Sequence, residues 1–214
     1  MWRITVEYAF DVINAEEYAR QRASYEPLTD ALRRLIDAGI HTAVDEATVR
    51  EALGHLEAAT ELLEREQRTT ASTLRHADTG RPVSWANPAV GLRNAIAPPM
   101  LIEHEADGSC WSEFTLGPAY EGPPGWVHGG ICALLLDHIL GEVASEGLSQ
   151  PKFTGTISVK YLRGTHLGWV RAEAFVERSE GIKTFARGYL RDAEGVTVEA
   201  EGVFIKPAWA RDAG

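Results

Sequence analysis

The chain has 214 residues, a length that suits one domain or one domain with an extension. Apolar residues make up 44%, enough for an ordinary globular core, and no apolar run approaches the roughly twenty residues needed to cross a bilayer. A formal net charge of −10 and a pI of about 5.2 argue against a nucleic-acid-binding protein, which carries a basic face; an anionic ligand would need a local basic cluster.

Trp2, Ile4, Val6, Tyr8 and Phe10 alternate with shorter or polar residues, the period of a strand. No basic stretch followed by an apolar core precedes them, so no signal peptide is expected. Glu16 to Ala38 reads as helical, with Pro27 marking a break or a fresh start and Gly39 a stop. Thr42 or Asp45 caps the next helix, which carries Val49, Leu53, Leu56, Thr60 and Leu63 on one face. That stripe is too short for a coiled coil and predicts a helix packed on the main domain or on a partner subunit. Loop chemistry (Asp78-Thr79-Gly80-Arg81-Pro82, Asn87-Pro88, Pro98-Pro99) then places a boundary near residue 80, dividing a mostly helical extension, 1–80, from a domain over 81–214.

In that domain Leu101–Glu105 and Cys110–Leu116 read as strands, joined at Gly108. A long helix from about Gly129 to Glu146 follows a Gly/Pro-rich approach. Strands over Thr154–Leu162, Trp169–Arg178, Lys183–Asp192 and Val196–Lys206 come after it, the last two joined by the turn Asp192-Ala193-Glu194-Gly195. One apolar helix among antiparallel strands predicts an α+β fold with a sheet wrapped around the helix. The two cysteines, Cys110 and Cys132, make no disulfide framework, which points to a reducing cytoplasm. The seven histidines show no metal-ligand spacing, so no metal or resident cofactor is expected.

The start of the long helix is the chemically informative segment. Gly129 and Gly130 follow His128 and open the apolar run Ile131–Leu136, which leads to Asp137. The first N–H groups of a helix lack intrahelical partners and can hold an anion or a developing oxyanion. A carboxylate in a buried helix is costly unless it is paired or used. Donors at a helix start with an acid two turns on suggest acyl transfer or hydrolysis.

This segment, His128-Gly129-Gly130 with Asp137 nine residues beyond the histidine, resembles the PaaI-like branch of the hotdog-fold acyl-CoA thioesterases, over about residues 87–207. The resemblance implies a hotdog domain, to which the N-terminal helical extension is an addition it does not explain, a homodimer or a dimer of dimers, and hydrolysis of an acyl-CoA thioester to free acid and CoA. Asp137 would activate water or attack the carbonyl directly, and the Gly129 N–H would hold the oxyanion. His128 would support the helix start or act as a base, the former being favoured. Thr154, seven residues before Tyr161, would help hold the water from the other subunit, with Thr156 as its substitute. Gly130, Lys160 and Lys183, with Arg163 as a third basic candidate, would meet the CoA moiety. By period-two alternation Thr154 and Lys160 would share the face opposite Ile157, Val159 and Tyr161. Gly122 stands where several family members have a polar residue, and Asn87 or Asn94 are candidates to compensate. His138 is read as structural. Trp126 and Val127 hint at an apolar acyl pocket. The competing functions are a non-catalytic acyl-CoA sensor and an enoyl-thioester hydratase on the same fold.

Overall fold

A computed structural model describes residues 11–67, 74–98 and 100–211. The strand expected over Trp2–Phe10 lies outside the described residues. The main unit is a six-stranded antiparallel sheet built from β3 (Glu103–His104), β4 (Cys110–Leu116), β5 (Phe153–Tyr161), β6 (Gly168–Glu180), β7 (Lys183–Asp192) and β8 (Gly195–Ile205). Their spatial order is β3-β4-β6-β7-β8-β5. Helix α3 (Gly129–Ala144) crosses one face, and a short helix, α4 (Ala208–Arg211), follows the sheet. This is the α+β hotdog plan. Strand β3 is shorter than expected, because only Glu103 and His104 pair with β4.

The alternation in the strands explains the layer. Cys110, Ser112, Phe114 and Leu116 of β4 are buried while Glu113 and Thr115 are exposed, and β6, β7 and β8 repeat the pattern. Under α3 the inward residues are small: Ala172, Ala174, Ala186, Gly188, Ala200 and Gly202. A Cβ at Gly188 would lie 3.2 Å from Leu140 and 2.7 Å from the Glu173 carbonyl, so glycine there lets the helix settle close to the sheet. Leu135, Leu136, Ile139, Leu140 and Ala144 are fully buried against it, each worth about 1.5–3 kcal/mol for a side chain of leucine size. Both cysteines are free and buried, and burial pushes the Cys110 thiol up to about 12, which leaves it unreactive.

The β7–β8 turn is fixed electrostatically. Arg163 holds the nearly buried Asp192 carboxylate in a two-pronged grip, with Nη1 2.8 Å from Oδ2. This guanidinium, helped by the N–H groups of Glu194 and His166, pulls the Asp192 carboxyl from an ordinary 3.8 down to about 2. The folded value lies below the unfolded one. The stabilisation is therefore complete above about pH 4 and is lost as pH falls towards 2. Thermal melts between pH 4 and 2 are expected to show a steeper fall in Tm for the wild type than for Asp192→Asn. Parallel profiles would remove this pair as a source of acid sensitivity.

The extension begins with β1 (Asp11–Ile13), paired in parallel with β2 (Leu74–His76). Helix α1 (Ala15–His41) runs unbroken through Pro27 and past Gly39, contrary to the expected break and stop. An internal proline costs about 3 kcal/mol, and tertiary contacts offset it. Thr29 is buried and donates to the Tyr25 carbonyl. The Arg93 guanidinium lies 3.5 Å from the Tyr25 ring centre, and Tyr18 sits beside Trp85. Thr42 is the C-cap of α1, and Asp45 is the N-cap of α2 (Glu46–Glu64), accepting from the Thr48 N–H. None of the α2 residues is buried, and Val49, Leu53, Leu56 and Leu63 remain exposed. The packing of this helix on the main domain that the stripe predicts is therefore not formed. The extension instead reaches the main unit through α1, where Tyr25 meets Arg93, Tyr18 meets Trp85 and Arg33 donates to the Asn94 carbonyl. Just past the boundary, Arg81 Nη2 meets the buried Glu142 of α3, with His104 Nε2 3.0 Å from the same carboxylate oxygen.

Candidate active site

The loop before α3 is pinned on both sides. The His128 N–H donates to the Tyr120 carbonyl, Val127 N–H to Thr165, and Trp126 stacks on His166 at 4.1 Å. Gly122 lies against His128, where a Cβ would sit 2.9 Å from the His128 Cα. Glycine is thus required at position 122 for packing, whatever polar group it displaces.

His128 is the N-cap of α3. Its backbone is extended, and its Nδ1 accepts from the Gly130 N–H at 3.0 Å. The Ile131 and Cys132 N–H groups both reach the His128 carbonyl. Of the four N–H groups that open the helix, only that of Gly129 has no partner among the described residues. The peptide that carries the Gly129 N–H is held through its carbonyl, that of His128, which accepts from Ile131 and Cys132, and the Gly129 carbonyl accepts from the Tyr161 hydroxyl at 2.8 Å. The Gly130 N–H is occupied by the cap, although the residue itself is exposed. His128→Ala is expected to cost about 1 kcal/mol in urea unfolding, with Asn restoring most of it. A supporting role keeps kcat of His128→Asn within about tenfold of wild type, whereas a base would lose about 10²-fold or more.

Eight residues along the helix, Asp137 faces β5. Its Oδ1 accepts from the Thr154 hydroxyl of the same chain at 2.9 Å. A bulge decides this. Thr154 pairs with Phe204, but Thr156 pairs with the adjacent Val203, so Gly155 is an extra residue in β5. A Cβ on Gly155 would fall 2.7 Å from Ile205. The bulge turns Thr154 to the helix side, in line with Ile157, Val159 and Tyr161, and leaves Thr156, Ser158 and Lys160 on the other face. The expected grouping of Thr154 with Lys160 is therefore corrected, and Thr156 is not placed to substitute.

Asp137, Thr154, Asn87, His138 and Lys152 line one cavity of about 400 Å³. Lys152 is a residue that sequence reasoning missed. Its Nζ donates to the Ala144 carbonyl at the end of α3 and to Thr184 Oγ1, and burial lowers its pKa. It lies outside the helix, so only the general preference for cations near helix C-termini signals it. Asn87 Oδ1 accepts from the Ala89 and Val90 N–H groups, and Asn94 bridges Ala86 and Ile96. Both build the loop, and Asn87 stands at the Asp137 end of α3, away from Gly129.

The basic candidates are not gathered at Asp137. Lys160 lies 3.8 Å from Glu199 on the outer face of β5. Lys183 begins β7 opposite Ile205, which pairs in turn with Phe153, so it stands two strands from Thr154 but on the outer face. Arg163 is consumed by Asp192. Among the described residues no group of three His, Cys, Asp or Glu is arranged to hold a metal ion, and no helix is long and apolar enough to cross a membrane.

Residues 124–208 match the thioesterase superfamily family model. Over 96 residues the chain is 36% identical to the acyl-coenzyme A thioesterase THEM4 of Xenopus laevis, a match covering 44% of this chain and 43% of that relative. The chain thus matches less than half the length of that curated relative. A thioesterase superfamily protein of known crystal structure is 35% identical, with a TM-score of 0.76 over 85% of this chain and 94% of its own. Such coverage reaches well into the extension, because residues 81–214 alone make up less than two thirds of the chain. An antiparallel sheet on one helix, opened by His-Gly-Gly, is therefore joined by likeness along nearly a whole relative, and the chain belongs to the thioesterase superfamily.

Proposed function

We propose that the protein hydrolyses a compact acyl-CoA thioester to the free acid and CoA, as a PaaI-like member of the superfamily. The observation that carries this reading is the Thr154–Asp137 hydrogen bond, which holds the carboxylate at the mouth of a cavity. Asp137 takes a proton from water as the water attacks the thioester carbonyl, and Thr154 fixes the carboxylate in place. The oxyanion that forms is held by the Gly129 N–H, and collapse of the tetrahedral intermediate expels the CoA thiolate.

The helix imposes a condition on this mechanism. Eight residues at 1.5 Å each separate Gly129 from Asp137 by about 12 Å along the axis. One carbonyl cannot touch both in one chain. A homodimer solves this if Gly129 of one subunit meets Asp137 and Thr154 of its partner. The implied role of Thr154 is thereby altered, since it travels with the Asp137 of its own chain. β5 is the long edge strand of the sheet and presents unpaired backbone groups that such a partner would cover. The exposed stripe of α2 is a second surface for a partner subunit or a dimer of dimers.

Thiol release from acetyl-, hexanoyl-, benzoyl- and palmitoyl-CoA tests the reading. Stoichiometric free CoA supports hydrolysis. Hydration of an enoyl ester without thiol release would favour the hydratase. Tight binding of esters without turnover would favour the sensor.

A further inference from the structure

The cavity at Asp137 continues beneath the extension. A second one, of about 350 Å³, adjoins it, and Pro82, Ser84, His138, Glu142 and Leu148 line both. Its far wall includes Tyr18 of α1 with Trp85, Val90, Leu92 and Met100. That volume is at the lower end for small-molecule sites and suits a compact acyl group.

His138 sits at the junction, one residue after Asp137. Among the described residues neither of its ring nitrogens has a hydrogen-bond partner, and Nε2 is sealed from solvent while Nδ1 is not. Burial lowers the pKa of the ring, which is therefore neutral near pH 7 with a single N–H. An unpaired buried N–H is rarer in proteins than an unpaired acceptor. The proton accordingly belongs on Nδ1, and the ring offers a donor at the junction with nothing in the protein to receive it. The neighbouring Glu142 carboxylate is already engaged by Arg81 and His104.

We propose that the second cavity receives the acyl group of the thioester and that His138 Nδ1 donates a hydrogen bond to an oxygen carried by that group. The substrates are then compact acyl-CoAs bearing a hydroxyl or keto oxygen beyond the thioester. The inference rests on the thioesterase reading above and adds the class of acyl group. His138 acts in binding, and no bond to it forms or breaks.

The test compares kcat/KM for thiol release between esters of equal size that differ by one oxygen: hexanoyl-CoA with its hydroxy and oxo forms, and benzoyl-CoA with hydroxybenzoyl-CoA. Palmitoyl-CoA serves as the oversize control. The wild type is expected to prefer an oxygenated member by about tenfold or more, because a donor left unmatched by the plain ester costs about that much. In His138→Phe, which keeps a ring but no donor, the preference should fall below about threefold. Ser84→Phe, which plugs the passage between the cavities, should lower the ratio of hexanoyl to acetyl turnover by about tenfold; it carries the test of the chamber if His138→Phe does not fold. Equal rates within every pair, an undiminished preference in His138→Phe, or palmitoyl-CoA as the best substrate would each overturn the proposal. If the wild type releases no thiol from any ester, hydrolysis itself fails. Calorimetric affinities of the same pairs then decide the acyl chamber by the same ratios.

Discussion

Replacing Asp137 by alanine is expected to lower kcat for thiol release by about 10²–10⁴, the range for removing a general base. KM should change little, because the carboxylate acts on water rather than on the acyl or CoA moieties. The cost in stability should be small. Asp137 is only half-buried, and the Thr154 hydroxyl that loses its acceptor is exposed to water. Asp137→Asn sharpens the result. It keeps an oxygen to accept from Thr154 but cannot take a proton, so it should be about as inactive as alanine. Substantial turnover in the asparagine variant would reduce Asp137 to a positioning group and remove it from the chemistry.

Gly129→Pro is expected to lower kcat by about 10²–10³, the usual loss when one oxyanion donor is deleted. A backbone N–H is difficult to remove without damage, but this position permits it. Gly129 is the first residue of α3, where proline is favoured, and His128 before it has the extended backbone (φ −60°, ψ 132°) that precedes proline readily. The N–H removed is the one without a protein partner, so the helix should keep its stability. Wild-type kcat in a folded Gly129→Pro protein would place the oxyanion hole elsewhere. The same variant tests the shared site. Gly129→Pro and Asp137→Ala subunits, each inactive alone, should regain turnover when unfolded and refolded together, because a mixed dimer contains one intact pairing of Gly129 with Asp137. Mixtures as inactive as their components would confine the site to a single chain and contradict the 12 Å separation argument.

The strand and helix segments of the main domain, and the stretch that carries the chemistry, were legible in the residue pattern. Cys110–Leu116 and Lys183–Asp192 read as strands, and both span the residues expected. This is possible because strand alternation is a local property of the backbone. The apolar run after Gly129-Gly130 likewise marked the buried helix and its N-cap, since capping involves residues two or three apart. Everything that depended on where distant segments meet was decided by the tertiary structure. One inserted residue at Gly155 reverses a strand face, so the choice between Thr154 and Thr156 waited on the pairing of β5 with β8. Pro27 reads as a break until Arg93 and Trp85 are brought against α1. The register puts Lys160 and Lys183 on the outer face, and Lys152 and His138 acquire meaning only when α3, β5 and the loop after residue 80 enclose a common cavity. Helix pitch alone separates Gly129 from Asp137 by about 12 Å, whereas the place of β5 at the edge of the sheet is set by the tertiary pairing; the two together are why the catalytic pairing is sought across two subunits.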